Sequence, residues 1–214
     1  IYQKKENKYD GLLLNHVDLC KKLLITELAK GSEIAGNRGY YLLSNGSRLN
    51  RALMNFAIDF LEENNYSSIE TPHFINYDSI KNICQLEEFE ETLYKVDKDK
   101  FLIATSEQPL TAMFSGRHLE KKNSPIKLAG ISHCYRKEAG SHGKDTLGIF
   151  RVHQFQKIEQ FVVCDESQSD DMFNSMIEVS KKFYDLLGID YRIVNIASGD
   201  LNNSASIKYD LEGY

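Results

Sequence analysis

The sequence predicts an α+β domain, and three features carry that expectation. Two segments, "IKLAGISHCYRKE" and "IFRVHQFQKIEQFVV", alternate like strands and are joined by the loop "AGSHGKDTLG", as in a hairpin. Two longer stretches, near 47–65 and 170–187, repeat apolar residues at helical spacing instead. Strands bunched among helices and joined by antiparallel turns fit α+β better than a βαβ series. With 214 residues, 42% hydrophobic and 27% charged, the chain suits one domain, long enough to bury a core without disulfides or a structural metal.

Taken in order, residues 15–30, "NHVDLCKKLLITELAK", read as a helix with Asn15 as N-cap and Gly31 as its stop. A stronger helix covers 47–65. There Leu49, Leu53, Phe56, Ala57, Phe60 and Leu61 share one face, opposite Arg48, Asn55 and Glu62. The extended segment "YSSIETPHF" follows, and Pro72, lacking an amide donor, marks an edge or a strand end. "KFLIATSEQPL" reads as a strand from Lys100 to Ala104 turning into a helix, with Thr105 or Ser106 as cap and Pro109 in the first turn. After the hairpin, a helix over 170–187 presents Met172, Phe173, Met176, Phe183 and Leu187 to a core, and Gly188 ends it. "YRIVNIAS" reads as a strand and "DLNNSASIKYDLEGY" as a turn or short helix.

Composition narrows the function. A net charge of −5 argues against broad, sequence-independent binding to nucleic acid, while leaving room for a local basic patch. No apolar run approaches the ~18 residues that span a membrane, and "IYQKKENKYDG" lacks a signal-peptide core. Cys20, Cys84, Cys134 and Cys164 stand apart, so a reduced cytoplasmic protein is expected. The opening residues read as the middle of a protein. "GSHGKDT" has the wrong spacing for a phosphate-binding P-loop, and the six histidines form no metal-ligand pair, so no metal site is assigned.

The hairpin itself raises a chemical possibility. Alternation puts Cys134, Arg136 and Glu138 on one face of the first strand, and Arg151, His153, Phe155, Lys157, Glu159 and Phe161 on one face of the second. Phe150, Val152, Gln154 and Ile158 take the opposite face, which suits packing. Arginine offers paired planar donors to phosphate, phenylalanine stacks on a base, and carboxylates accept from amines. The same alternation also fits a solvated sheet face laced by cross-strand ion pairs. Pattern alone leaves both open.

The motifs go further. "CYRKEAGSHGKDTLGIFRVHQFQKIEQF" closely resembles motif 2 of seryl-tRNA synthetases of the eukaryotic cytosolic type, and "LIATSEQPL" resembles that family's Thr-x-Glu serine-binding element. The helix and strand ending at Pro72 look like class II motif 1, and "NHVDL" and "VNIASGDLNNSASIKYDLE" are also similar to the family. The resemblance covers nearly the whole chain. It implies a class II aminoacyl-tRNA synthetase core over residues 1–214, an antiparallel sheet flanked by helices that works as a homodimer through motif 1. It also implies serine activation with ATP and Mg²⁺, then transfer of the seryl group to serine tRNA. On this likeness Arg136, Lys137, Glu138, Arg151, Val152 and Phe155 would bind ATP. Arg136 would hold the α-phosphate, Phe155 would stack on adenine, and Val152 would use its backbone. Thr105, Ser106, Glu107 and Glu159 would bind serine, with Glu159 pairing to its amino group. The likeness further implies that the chain starts after a coiled-coil arm that grips tRNA and stops before motif 3. A non-catalytic relative kept as a dimerisation or binding module is the alternative, and the presence of Arg136, Glu138, Phe155 and Glu159 counts against it.

Overall fold

A computed structural model describes residues 2–4, 13–83, 92–139, 143 and 146–213, so half of the hairpin loop "AGSHGKDTLG" and most of "IYQKKENKYDG" lie outside the described residues. The chain divides into two compact units, Leu13–Phe161 and a smaller one made of Ile1–Leu12 with Val162–Tyr214.

Strand β1, Tyr2–Lys4, belongs to the smaller unit, and the larger unit begins with helix α1, His16–Leu23. Asn15 caps it as expected, its side chain accepting from the Asp18 amide at 3.0 Å. The predicted single helix over 15–30 is broken, however. Leu24 turns into the left-handed region, and Thr26–Glu27 form strand β2, paired antiparallel with β3, Tyr41–Leu42. Helix α2, Ala29–Ala35, then contains Gly31 as a buried interior residue and not as a stop. A tertiary strand pairing outweighs the local helix propensity of "LLITELAK".

Helix α3, Ser44–Glu63, matches the strongest helical expectation. Its apolar stripe is buried only at one end. Phe60 and Leu61 are core, whereas Leu49, Leu53 and Phe56 remain 66%, 43% and 38% exposed. β4, Ser67–Glu70, runs parallel to β8, Ile126–Tyr135, and β8 is flanked on its other side by β9, Gln154–Val163. The expected antiparallel sheet flanked by helices holds, with β4–β8 as a parallel pair within it. A second sheet orders β5 (Phe74–Asn76), β7 (Lys100–Leu102) and β6 (Lys95–Asp97). Helix α4, Tyr77–Ile80, joins β5 to the core of Ile75, Ile80, Leu93, Phe101 and Ile103. Fully burying a side chain such as Ile80 or Ile103 contributes about 2–3 kcal/mol.

Backbone bonds beyond the ladders join these two sheets. The Ile103 amide donates to the His73 carbonyl at 3.0 Å, and the Ile103 carbonyl accepts from the Tyr135 amide at 2.9 Å. The residues just past β7 are thereby held beside the end of β8. Helix α5, Glu107–Phe114, starts there.

The smaller unit is a sheet ordered β1, β10 (Tyr191–Asn195) and β11 (Tyr209–Gly213), with helix α6, Ser169–Leu187. Gly188 ends α6 at φ 67°, as the sequence led one to expect. Val179 is buried and the five expected apolar residues are half-buried. The terminal stretch corrects the reading of a turn or short helix: after a short 3₁₀ turn at Ser198–Asp200 it forms β11, antiparallel to β10. Among the described residues, no helix is long and apolar enough to cross a membrane.

Candidate active site

The first stretch to be fixed is Ala104–Gln108. The Ala104 amide donates to Gln108 Oε1 at 2.9 Å, and the Ala104 carbonyl accepts from Arg136 Nε at 3.3 Å. Ser106 is fully buried, facing β8 where the chain has Gly130. A Cβ added at Gly130 would lie 2.7 Å from Ser106 Oγ, so only glycine lets the two backbones approach this closely. Thr105 Oγ1 accepts from the Glu107 amide at 3.2 Å, so Thr105 supplies the turn contact at the start of α5.

Glu159 of β9 converges on this stretch. Its Oε2 accepts from Thr105 Oγ1 at 2.7 Å, Ser106 Oγ at 2.5 Å and the Glu107 amide at 3.0 Å. Its Oε1 accepts from Lys157 Nζ at 2.6 Å, and the same ammonium donates to Thr105 Oγ1, also at 2.6 Å. The carboxylate thus sits at the start of α5, where a helix favours negative charge. Burial alone would raise the Glu159 pKa, but the Lys157 charge and the hydrogen bonds from Lys157, Ser106 and Thr105 outweigh it and hold the carboxyl below its ordinary range. Glu107 goes the other way. Desolvation first, then the Glu159 charge, push its carboxyl up against the opposing pull of Lys157.

A second cluster adjoins the first through Arg136. Its guanidinium lies 5.1 Å from the Phe155 ring centre, a cation–π contact, while Nε is tied to Ala104. The Arg136 amide donates to the His153 carbonyl at 2.9 Å, which closes the β8–β9 hairpin, and His153 Nδ1 returns to the Arg136 carbonyl at 2.8 Å. Arg151 Nη1 pairs with Glu138 Oε2 at 3.0 Å. Neither residue lies in the ladder, since β8 ends at Tyr135, β9 begins at Gln154 and Glu138 takes φ 51°. A left-handed turn, not strand parity, brings that pair together.

The alternation along β9 held, with Val152 buried and Ile158 half-buried on the expected packing face, but most of the charged face is enclosed as well. Phe155, Lys157, Glu159 and Phe161 are all half-buried, and Phe161 stacks on Phe114 of α5 with centres 6.2 Å apart. On the other face Gln154 and Gln156 are exposed, and Phe150, ahead of the strand, is 69% exposed. From Phe155 onward the charged face is thus partly enclosed and not a solvated one, whereas Arg151, ahead of the strand, is exposed. Val152 is 6% exposed with its side chain inward, so a nucleotide could meet only its backbone.

Two predicted site residues stand elsewhere. Ser106 has its hydroxyl inside the protein and committed to Glu159, so it orients that carboxylate and does not face a substrate. Lys137 donates its amide to the Thr92 carbonyl at 2.9 Å and lines a groove with Tyr77, Leu93, Lys95, Lys98, Asp99 and Phe101, none of them another predicted site residue. The residue that sequence reasoning left without a role is Lys157. Its signal was present in the alternation, two positions before Glu159.

Comparison with known proteins places this arrangement. The family described as the class II core domain of tRNA synthetases (G, H, P, S and T) matches residues 90–214. The serine–tRNA ligase of Helianthus annuus is 49% identical over 214 residues, covering 98% of this chain and 49% of the relative. The cytoplasmic serine–tRNA ligase of Dictyostelium discoideum is 48% identical, covering 94% and 46%. The chain spans about half the length of the curated relatives it matches. Among solved structures, the cytoplasmic serine–tRNA ligase of Naegleria fowleri in complex with AMP superposes with a TM-score of 0.93 at 48% identity, over 100% of this chain and 51% of that one. The seryl-tRNA synthetase of Pyrococcus horikoshii complexed with ATP gives 0.89 at 41% identity, over 92% and 44%.

Proposed function

The chain belongs to the class II tRNA synthetase core family, and from that membership we propose that it carries the serine-activating site of a cytoplasmic serine–tRNA ligase. In that reaction a carboxylate oxygen of serine attacks the α-phosphorus of ATP and pyrophosphate leaves. The seryl group then passes from the adenylate to the terminal adenosine of a serine tRNA. The observation that supports this best is the meeting of Thr105, Glu107, Lys157 and Glu159 in one polar pocket joined through Ala104 to Arg136.

The chemistry needs no protein nucleophile, because the substrate supplies its own. What the protein contributes is position and charge. Arg136 uses Nε on the backbone, which leaves the forked outer nitrogens for the α-phosphate. Phe155 offers a ring for adenine, and the Arg151–Glu138 pair borders the same hairpin end, where both would meet ATP. At the serine end, Thr105 and Glu159 belong to the binding shell. The expectation that Glu159 pairs with the amino group is revised here. Its Oε1 already carries Lys157, whereas no cation pairs with Glu107 among the described residues, so Glu107 takes the ammonium. Mg²⁺ commonly accompanies ATP and neutralises its phosphates. Among the described residues no group of three or more His, Cys, Asp or Glu side chains could hold a metal. The ion is therefore assigned to the nucleotide's phosphates, and no step depends on it here.

Association as a homodimer accounts for the exposed stripe Leu49, Leu53 and Phe56 on α3, which is too apolar a face for a helix that ends in water. Sedimentation velocity is expected to find a dimer at micromolar concentration. A monomer at that concentration would exclude this assignment.

The functional reading is tested by calorimetric titration with a non-hydrolysable seryl-adenylate analogue, with the alanyl analogue as control. Calorimetry suits a chain without tryptophan. Selective binding of the seryl compound is expected, by roughly 100-fold or more, because alanine leaves a buried acceptor unfilled. Equal affinity for both would favour the non-catalytic module instead, and binding of neither would be resolved by the same titration on a chain extended past Tyr214.

A further inference from the structure

We propose, resting on the reading of the hairpin end as an ATP site, that His16 is a positioning residue: it clamps the returning arm of the hairpin to the start of α1 and so holds Arg151 where ATP would meet it. The stretch "NHVDL" lies outside the polar pocket around Glu159, and its partner is the arm formed by residues 146–150. Three contacts make the clamp. His16 Nε2 lies 3.0 Å from the Leu147 carbonyl oxygen. A carbonyl only accepts, so Nε2 carries the proton and donates it. Beside it Gly148 takes φ 65°, and a Cβ there would lie 2.4 Å from His16 Nε2 and 3.0 Å from Val17 Cγ2. Backbone and imidazole thus meet at a distance that only glycine allows. Phe150 then sets its ring against the imidazole, with centres 5.9 Å apart. Asn15 steadies the imidazole's own base: it accepts from the Asp18 amide at 3.0 Å and donates to Asp18 Oδ2 at 2.7 Å, which fixes the first turn of α1.

What needs holding is Arg151. β8 ends at Tyr135 and β9 begins at Gln154, so the arm over residues 146–153 lies outside the β8–β9 ladder. At its far end the His153 carbonyl accepts from the Arg136 amide, and Val152 is buried. At its near end Thr146 Oγ1 donates to the Gly143 carbonyl at 2.7 Å, a bond local to the turn. Between the two, His16 ties the arm to a helix 131 positions away in the sequence. Leu147 and Phe150 are 58% and 69% exposed, so burial does little to fix the arm, and the hydrogen bond and ring contact do more. Arg151 directly follows Phe150. Its bond to Glu138 orients the guanidinium, whereas the clamp sets the backbone from which that side chain extends. A long, exposed cation reaches a phosphate at lower entropic cost from a backbone already in place.

The test is calorimetric titration of ATP into the full-length protein as wild type, H16A, H16Q, R151A and H16A/R151A, with serine-dependent pyrophosphate exchange on the same set. H16A is expected to weaken ATP by about tenfold and to leave the KM for serine within about twofold. H16Q, whose amide can donate to the same carbonyl, should stay within about threefold of wild type for ATP. R151A alone should weaken ATP at least as much as H16A. In its background H16A should add less than about twofold, because His16 acts through Arg151. Unchanged ATP affinity in H16A overturns the proposal. So does an H16A loss that persists in full beside R151A, or one shared equally by serine, either of which marks a merely structural contact. Should H16A not fold, G148A pushes the arm off the imidazole from the other side and must reproduce the selective loss of ATP. A wild type that binds ATP but shows no serine-dependent exchange removes the serine reading alone, and the ATP titrations still decide the role of His16. A wild type that binds no ATP removes the nucleotide site and the His16 assignment with it.

Discussion

Arg136→Ala in the full-length protein is expected to lower serine-dependent pyrophosphate exchange, the reaction proposed for it, by roughly 10³-fold or more. The attack on the α-phosphorus builds negative charge on the phosphate oxygens, and the pocket holds that charge only if a cation is already aimed there. Arg136 meets the requirement through three contacts of its own. Its amide is bound to the His153 carbonyl at the mouth of the hairpin, its Nε to the Ala104 carbonyl, and its guanidinium lies over Phe155. A side chain held in this way loses little freedom when it binds phosphate. Losing one hydrogen bond and one cation–π contact costs the fold only about 1–2 kcal/mol, so the protein should still melt cooperatively. Arg136→Lys keeps the charge but not the fork and should recover only part of the rate. Wild-type exchange in Arg136→Ala would remove Arg136 from the reaction.

How much of this was legible beforehand depends on which force set each feature. The period of two along "QFQKIEQF" is local, so Phe155, Lys157, Glu159 and Phe161 were placed on one face correctly. Which face would be enclosed was not local. It depends on α5 packing there, through Phe114 against Phe161 and through the Glu107 amide against Glu159. Thr105 and Glu159 lie 54 positions apart, and no spacing rule joins them; the family likeness did. Ser106 was misread because a hydroxyl beside Thr105 looks equivalent in sequence, whereas Gly130 opposite it draws Ser106 into the interior. Parity put Glu138 and Arg151 on charged faces without pairing them, and the positive φ of Glu138 brings the two together. β2 was missed because it exists through pairing with a remote partner and "LLITELAK" carries no strand pattern of its own, whereas β11 had a local signal that the reading passed over, the alternation of Ile207, Tyr209 and Leu211 with Lys208, Asp210 and Glu212.

Glu159→Ala should weaken serine binding by about 100-fold or more while changing ATP affinity by less than about threefold. The asymmetry follows from what the carboxylate touches. Its four donors among the described residues, Thr105, Ser106, the Glu107 amide and Lys157, all belong to the amino-acid end, and none is Arg136, Phe155 or Arg151. Removing it leaves Lys157 without its anion and Ser106 with a buried, unsatisfied hydroxyl, a cost on the order of 2 kcal/mol in stability. That cost has a definite pH dependence. Because the folded protein holds the Glu159 carboxyl below its unfolded pKa, its contribution is present above the unfolded carboxylate range and fades as pH falls through the lower, folded value. The melting-temperature gap between wild type and Glu159→Ala should therefore be widest near neutrality and narrow in acid. A gap that widened as pH fell would contradict an ionised, paired Glu159. Equal losses of serine and ATP affinity would show instead that the carboxylate supports the whole hairpin, and would leave the pocket's preference for serine to other residues.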